Sequence, residues 1–110
     1  MGKSKLSFSI GNPKEGLKLK KAVLSGKKKS TTQIHWYGDK GDTFDVLGVR
    51  FKITSIKRMT LKKAFLTQYK REGFKSPEEF KQVWMKFHQY RRHWGMNKKA
   101  LVYSFARLKK

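Results

Sequence analysis

One segment of the sequence places cations beside flat aromatic rings. Residues 88–94 read His-Gln-Tyr-Arg-Arg-His-Trp. The guanidinium groups of Arg91 and Arg92 can fork onto phosphates or stack on bases, and the rings of Tyr90 and Trp94 offer stacking surfaces. We therefore expect RNA contact here. The alternative is that both rings complete the core and the cations are merely solvated.

Further stretches of the chain concentrate positive charge. One cluster is Lys18, Lys20, Lys21, Lys27, Lys28 and Lys29, and a second is Lys57, Arg58, Lys62 and Lys63. Lys98 and Lys99 follow the aromatic segment, and the chain closes on Arg107, Lys109 and Lys110. A single basic run is often only a solvated face, but several runs on one small domain predict an anion-binding surface.

The total charge narrows the class of partner. The 110 residues include 28 Lys or Arg and 7 Asp or Glu, which gives 28 − 7 = +21. Such a surface disfavours a cationic ligand and makes a polyphosphate the default partner. Structured RNA, with ribosomal RNA or another ribonucleoprotein as an example, is the leading expectation. Nonspecific binding to DNA is the less favoured alternative. The charge does not imply a disordered chain, because 8 Phe, 4 Tyr and 3 Trp suffice for a small core.

The sequence does not predict a metal or cofactor site. There is no cysteine, so thiolate zinc sites and a Cys nucleophile are excluded. His88 and His93 are spaced i, i+5, which is not the helical i, i+4 pairing of metal ligands. Asp39, Asp42 and Asp45 lie three apart, whereas a calcium loop uses alternate positions and a distal Glu.

Length and apolar runs predict a single domain over residues 1–110, with basic tails at 1–5 and 109–110. The apolar runs are too short to cross a bilayer, and the basic start has no apolar stretch behind it. We therefore expect a cytoplasmic protein without a membrane partner.

The first half of the chain alternates strand and helix signals. Leu6–Ile10 has the period-2 pattern of a strand, and a helix should begin at Pro13 and end at Gly26. Thr31–Tyr37 predicts a second strand. Two further strands should meet in a hairpin at Leu47–Gly48.

The second half predicts two helices and a closing strand. Thr60 should cap a helix that ends at Gly73, and Ser76 with Glu79 forms a capping-box pattern before the next helix. The apolar stripe of that helix is Phe80, Val83, Trp84 and Phe87. A final strand is expected over Ala100–Leu108. These elements predict an α+β fold.

Several motifs of the sequence, and the order in which they follow one another, resemble those of the ASCH domain, a PUA-like β-barrel family. Two of its motifs resemble short segments of this chain. One is the Gly-Lys segment Gly26–Lys29, which precedes a Thr-rich strand, and the other is Gly41-Asp42, which precedes Phe44. The Glu-Gly-Phe…Phe…Val-Trp run over 72–84 and the strand 101–105 resemble its helical insertion and its last strand. The resemblance implies a small barrel of about five to six strands with two to three flanking helices.

The resemblance also implies a cleft beside the Gly-Lys segment and an association with RNA and modified nucleosides. Some members are similar to amidohydrolases that act on N4-acetylcytidine with a Lys, a Thr and a Glu. By motif, these positions correspond to Lys28, Thr31 and Glu72. The family usually has Arg where this chain has Gln33, which removes a bidentate donor.

Thr31 is preferred to Thr32 in that comparison, because the family's pattern places a core residue after the Thr. Thr32 fits that core position, since it shares a predicted strand face with Ile34 and Trp36. The alternative to a catalytic role is that these residues have none. Lys28 would then be simply one of three consecutive lysines, and Glu72 would offset the charge of neighbouring cations. The excess charge has no evident use on a free, neutral nucleoside. We therefore place an RNA-binding module first, with Gln33 in its cleft, and an amidohydrolase second.

Overall fold

The computed structural model describes residues 13–87 and 96–108. The helix α1 spans Pro13–Ser25 and leads through a loop to β1, Ser30–Gln33. The strands β2, Thr43–Val46, and β3, Val49–Thr60, form the expected hairpin. Leu47 and Gly48 both have positive φ values, 47° and 82°, which suits a two-residue hairpin turn.

The second half follows the expected order of two helices and a strand. The helix α2 spans Leu61–Gln68, α3 spans Pro77–Phe87, and β4 spans Lys99–Arg107. Thr60 caps α2 by accepting a hydrogen bond from the Lys63 backbone N–H. The helix α2 ends before the predicted Gly73, because a turn over residues 69–73 brings the chain back towards β1.

The four strands form one antiparallel sheet in the order β1-β4-β3-β2. The pairing of β3 with β4 is the longest and carries one irregularity, between Ile53 and Ser55. Successive residues of β4 point to opposite faces of the sheet and so contribute to two separate cores, one on each face. The α+β class is confirmed.

One core lies on the face to which β4 contributes Leu101, Tyr103 and Phe105, the face predicted for that strand. Val23 of α1 packs into this core, and the rings of Phe44, Phe51 and Phe105 lie with centroids 5.4–5.9 Å apart. We call this the α1 face of the sheet. It joins the first helix to the β2–β3 hairpin.

A second core covers the opposite face, which we call the α2–α3 face. Its buried residues are Leu61, Phe65, Phe80, Trp84 and Ala100. The Ser76 hydroxyl accepts from the Glu79 N–H at 3.1 Å, as the capping pattern predicted. Phe80 and Trp84 of the predicted stripe meet Phe65 of α2 edge to face, so the stripe docks α3 against α2.

Two predicted segments lie outside the described residues. They are the strand Leu6–Ile10 and the aromatic and basic segment that contains Tyr90, Arg91, Arg92 and Trp94. Within the described residues, β1 ends at Gln33, whereas the alternation had predicted a strand that continues to Tyr37.

Candidate nucleic-acid interface

Six basic residues gather where β3 meets α2. Arg58 pairs with Leu101 and Thr60 pairs with Lys99 in the β3–β4 register. The Leu61 N–H donates to the Lys98 carbonyl at 2.9 Å, so the start of α2 lies against the start of β4. We call the residues brought together here the junction cluster: Lys57, Arg58, Lys62, Lys63, Lys98 and Lys99.

The junction cluster faces solvent. All six of its residues are exposed. The ion pairs found within the described part of the chain involve Lys28 and Arg50, not Lys57, Arg58, Lys62, Lys63 or Lys99. These five cations therefore present their charge to solvent, where it can attract a phosphate.

A second basic surface forms between two loops. Gly26 has φ 84° and ends α1, and the backbone N–H groups of Lys29 and Ser30 then donate to the Arg71 carbonyl. This contact brings together the exposed residues Lys27, Lys29, Lys70 and Arg71, which we call the loop cluster. On α1 itself, Lys18 and Lys21 are exposed and Lys20 is partly exposed.

Lys28 differs from its two lysine neighbours because it is buried. Its Nζ donates to Glu72 Oε1 at 2.6 Å, and both side chains are 5% exposed or less. The Thr32 hydroxyl donates to Glu72 Oε2 at 2.8 Å. The ammonium group also lies 5.9 Å from the centre of the Phe74 ring. Lys28 is thus held inside the fold by a carboxylate.

Burial dominates the electrostatics of Glu72. Removal from water raises the pKa of this carboxyl, and Lys28 and the Thr32 hydroxyl offset part of that rise. The Ser30 hydroxyl, also fully buried, adds a weaker stabilising effect. It lies outside good hydrogen-bond geometry with any described residue, so its effect is that of a nearby dipole.

The structure brings together Lys28 and Glu72 but not Thr31. Neighbouring strand residues point to opposite faces, and it is Thr32 that faces Glu72. The Thr31 hydroxyl instead accepts from Gln33 Nε2 at 3.2 Å. Both Thr31 and Gln33 are buried and share the α1 face with Tyr103 and Leu101, their partners in the register.

A groove lies beside the Gly-Lys segment, where the family resemblance predicted a cleft. Its volume is about 300 Å³, and it is formed by the end of α1, the start of β3 and the end of β4. Phe51 and Phe105 line it together with Lys29 and Arg107. Arg107 Nη2 donates to the Leu24 carbonyl at 3.1 Å, which ties the two sides of the groove together.

Trp36 is an exposed aromatic residue that the sequence pattern did not indicate. Trp36 was predicted to share a strand face with Thr32 and Ile34, but its side chain is 56% exposed. Its indole N–H donates to Asp39 Oδ1 at 3.1 Å. The strand has already ended at Gln33, so the alternation no longer governs where this ring lies.

Residues 13–87 and 96–108 contain neither a metal-binding cluster nor a membrane-spanning helix. No group of three or more His, Asp or Glu residues there is arranged to hold a metal ion. None of the helices described is both long and apolar enough to cross a bilayer.

Three solved structures share this architecture. An ASCH domain from Lactobacillus crispatus JV V101 superposes with a TM-score of 0.70 at 12% identity, over 88% of this chain and 74% of that one. The protein EF3133 from Enterococcus faecalis V583, assigned to family DUF984, also gives a TM-score of 0.70, at 15% identity over 86% and 69%. The hypothetical protein PH0355 gives 0.59 at 19% identity, over 80% and 89%.

Sequence comparison alone does not find these similarities. No protein-family model matches the sequence, and no curated protein matches it. The motifs that suggested the ASCH domain therefore find their support in the superposed structures. With three helices and a four-stranded antiparallel half-barrel sheet in its described part, the chain shares the fold of that ASCH domain.

Proposed function

We propose that this domain binds structured RNA through its exposed basic surfaces. The observation that carries the proposal is the junction cluster, in which the β3–β4 register and the start of α2 bring six exposed cations together. Phosphate contacts of this kind supply affinity that depends on charge rather than on sequence. The loop cluster adds a second surface of the same sign.

RNA is the polyanion that the fold favours. The likeness to a solved ASCH domain supports the resemblance in the motifs, and that resemblance associates the family with RNA. A folded RNA offers closely spaced phosphates that two separate basic clusters can contact together. Ribosomal RNA within a ribonucleoprotein is the kind of target that suits a chain with a net charge of +21.

Binding fits the geometry around Lys28 better than hydrolysis does. The Lys28 ammonium forms a buried ion pair with Glu72. The Thr31 hydroxyl lies on the opposite face of β1 from that pair. A nucleophilic Thr needs its base within hydrogen-bond reach. Lys28 and Glu72 therefore have a structural role, which is to fix the loop before β1 against the turn after α2.

The experiment is a comparison of two double variants with equal charge. Lys62→Gln/Lys63→Gln changes the junction cluster, and Lys40→Gln/Lys81→Gln changes exposed lysines elsewhere. Each reduces the net charge from +21 by 2 to +19. We expect the first variant to bind a labelled RNA hairpin at least about tenfold more weakly than the second, since two phosphate contacts are lost.

Competition separates the proposal from nonspecific DNA binding. Unlabelled structured RNA should displace the labelled hairpin at lower concentration than duplex DNA of equal length, at the same salt concentration. Equal weakening in the two double variants would show that binding depends only on net charge and would overturn the assignment to the junction cluster. Preferential displacement by duplex DNA would overturn the choice of RNA.

A further inference from the structure

The exposed ring of Trp36 is held in a fixed orientation. Its N–H is bonded to Asp39, and its ring meets Tyr103 edge to face, with centroids 6.4 Å apart and an interplanar angle of 63°. The tryptophan is 56% exposed, so a large part of its flat ring is open to solvent. That surface is suited to stacking.

Tyr103 also fixes the backbone around this ring. Its hydroxyl accepts from the Tyr37 N–H at 2.8 Å and donates to the His35 carbonyl at 3.2 Å. Burial raises the pKa of the Tyr103 hydroxyl, so it stays protonated at neutral pH and remains able to donate. The residues on both sides of Trp36 are thereby anchored to the centre of the sheet.

Two cations of the junction cluster lie on the same face of the sheet as Tyr103. Lys99 is four residues before Tyr103 on β4, and Arg58 is paired with Leu101, so the alternation places both on the α1 face. Strand spacing and rise put the Cα atoms of Arg58 and Tyr103 roughly 8 Å apart. Both cations are exposed and have long side chains.

We propose that Trp36 stacks on an unpaired nucleobase of the bound RNA, while Arg58 and Lys99 contact the phosphates next to it. A flat ring beside cations has the two elements that bind single-stranded nucleic acid, a stacking surface and a positively charged path for the backbone. The inference rests on the proposed function and deepens it. It assigns the recognised part of the RNA as a loop or bulge rather than a duplex.

The test compares two RNAs and three variants. One RNA is a hairpin with an unpaired loop, and the other is a fully paired duplex with the same number of phosphates. Trp36→Ala removes the ring, Trp36→Phe keeps a smaller ring, and Leu66→Ala removes an equally exposed apolar side chain (54%) from α2. Affinities are measured at several salt concentrations.

We expect Trp36→Ala to weaken binding to the loop RNA by at least about fivefold, the effect of losing one stacked base. Its affinity for the duplex should stay within about twofold of wild type, and its salt dependence should not change, because no cation is lost. Trp36→Phe should retain most of the affinity for the loop RNA, and Leu66→Ala should bind like wild type.

The outcomes separate the inference from the proposed function. If wild type binds RNA with a steep salt dependence but Trp36→Ala binds the loop RNA as tightly as wild type, the inference is wrong and the proposed function stands. An equal loss on both RNAs also overturns the inference, since it points to a general change in the surface. A wild-type protein that binds neither RNA overturns both.

Discussion

Lys28 Nζ lies 2.6 Å from Glu72 Oε1 although the two residues are 44 positions apart in the chain. The contact is buried and joins the loop before β1 to the turn after α2. Thr32 completes it from β1. These three residues therefore connect the turn after α2 to β1 and to the loop that precedes it.

Lys28→Met should destabilise the fold by about 3–5 kcal/mol at neutral pH, because it leaves the Glu72 carboxyl buried without a charged partner. The double variant Lys28→Met/Glu72→Gln removes both charges and should regain a large part of that loss. Urea unfolding followed by circular dichroism measures both. A single variant as stable as wild type would contradict the anchoring role of the pair.

The buried carboxyl also predicts a pH dependence. The pKa of Glu72 is raised by burial above its ordinary value of 4.5, so the folded state binds a proton more tightly than the unfolded state. The contribution of Glu72 to stability is then greatest at low pH and falls as pH rises from about 4.5 through the raised pKa.

This contribution is measured as the difference in unfolding free energy between wild type and Lys28→Met/Glu72→Gln at successive pH values. Apart from Lys28, the other titrating groups are common to both proteins and cancel. Wild type should lose stability relative to the double variant as pH rises through this window. A difference that changes in the opposite direction would mean that Lys28 outweighs burial.

Gly73 approaches the loop before β1 closely, and its substitution should be costly. Its φ is 92°, and a Cβ atom there would lie 3.3 Å from the Lys27 carbonyl oxygen. Gly41 has nearly the same φ, 94°, with open space around it. Gly41→Ala should cost about 1 kcal/mol from backbone strain alone, and Gly73→Ala should cost more. Equal losses in thermal or urea unfolding would exclude a role for the close approach.

We expect no hydrolysis of N4-acetylcytidine above the rate in buffer. The Thr31 hydroxyl faces away from Lys28 and Glu72, so the three groups do not form one site. Chromatographic detection of cytidine measures this. Turnover that Lys28→Ala and Thr31→Ala each abolish, while both variants remain folded, would establish the amidohydrolase instead.

Local signals in the sequence predicted much of the fold. The Ser76 cap, the Leu47–Gly48 turn and the alternation in β4 each depend on residues close together in the chain. The placement of Trp36 on the face of Thr32 depended on continuing one alternation from Thr31 to Tyr37, and the choice of Thr31 came from the family resemblance. That alternation stops at Gln33, and beyond this point the Tyr103 hydroxyl, 66 residues from Tyr37 in the chain, bonds the backbone of His35 and Tyr37.

The same reasoning explains the choice between the two threonines. Alternation correctly placed Thr32 on the opposite face from Thr31, although both are buried, at 1% and 5% exposed. It gave no information on what Thr32 contacts on that face, which is the carboxylate of Glu72 from 40 residues away. Charge clusters were easier to predict than their assembly, because only the β3–β4 register brings Lys99 to Thr60 and hence to α2.

The salt dependence of RNA binding is the most direct test of the central claim that exposed cations bind a folded RNA. Affinity for a labelled RNA hairpin is measured by fluorescence anisotropy between 50 and 200 mM salt. If the six cations of the junction cluster each contact a phosphate, affinity should fall by roughly a thousandfold over this range. An affinity that changes by less than about threefold would contradict the account, because binding would then not depend on phosphate contacts.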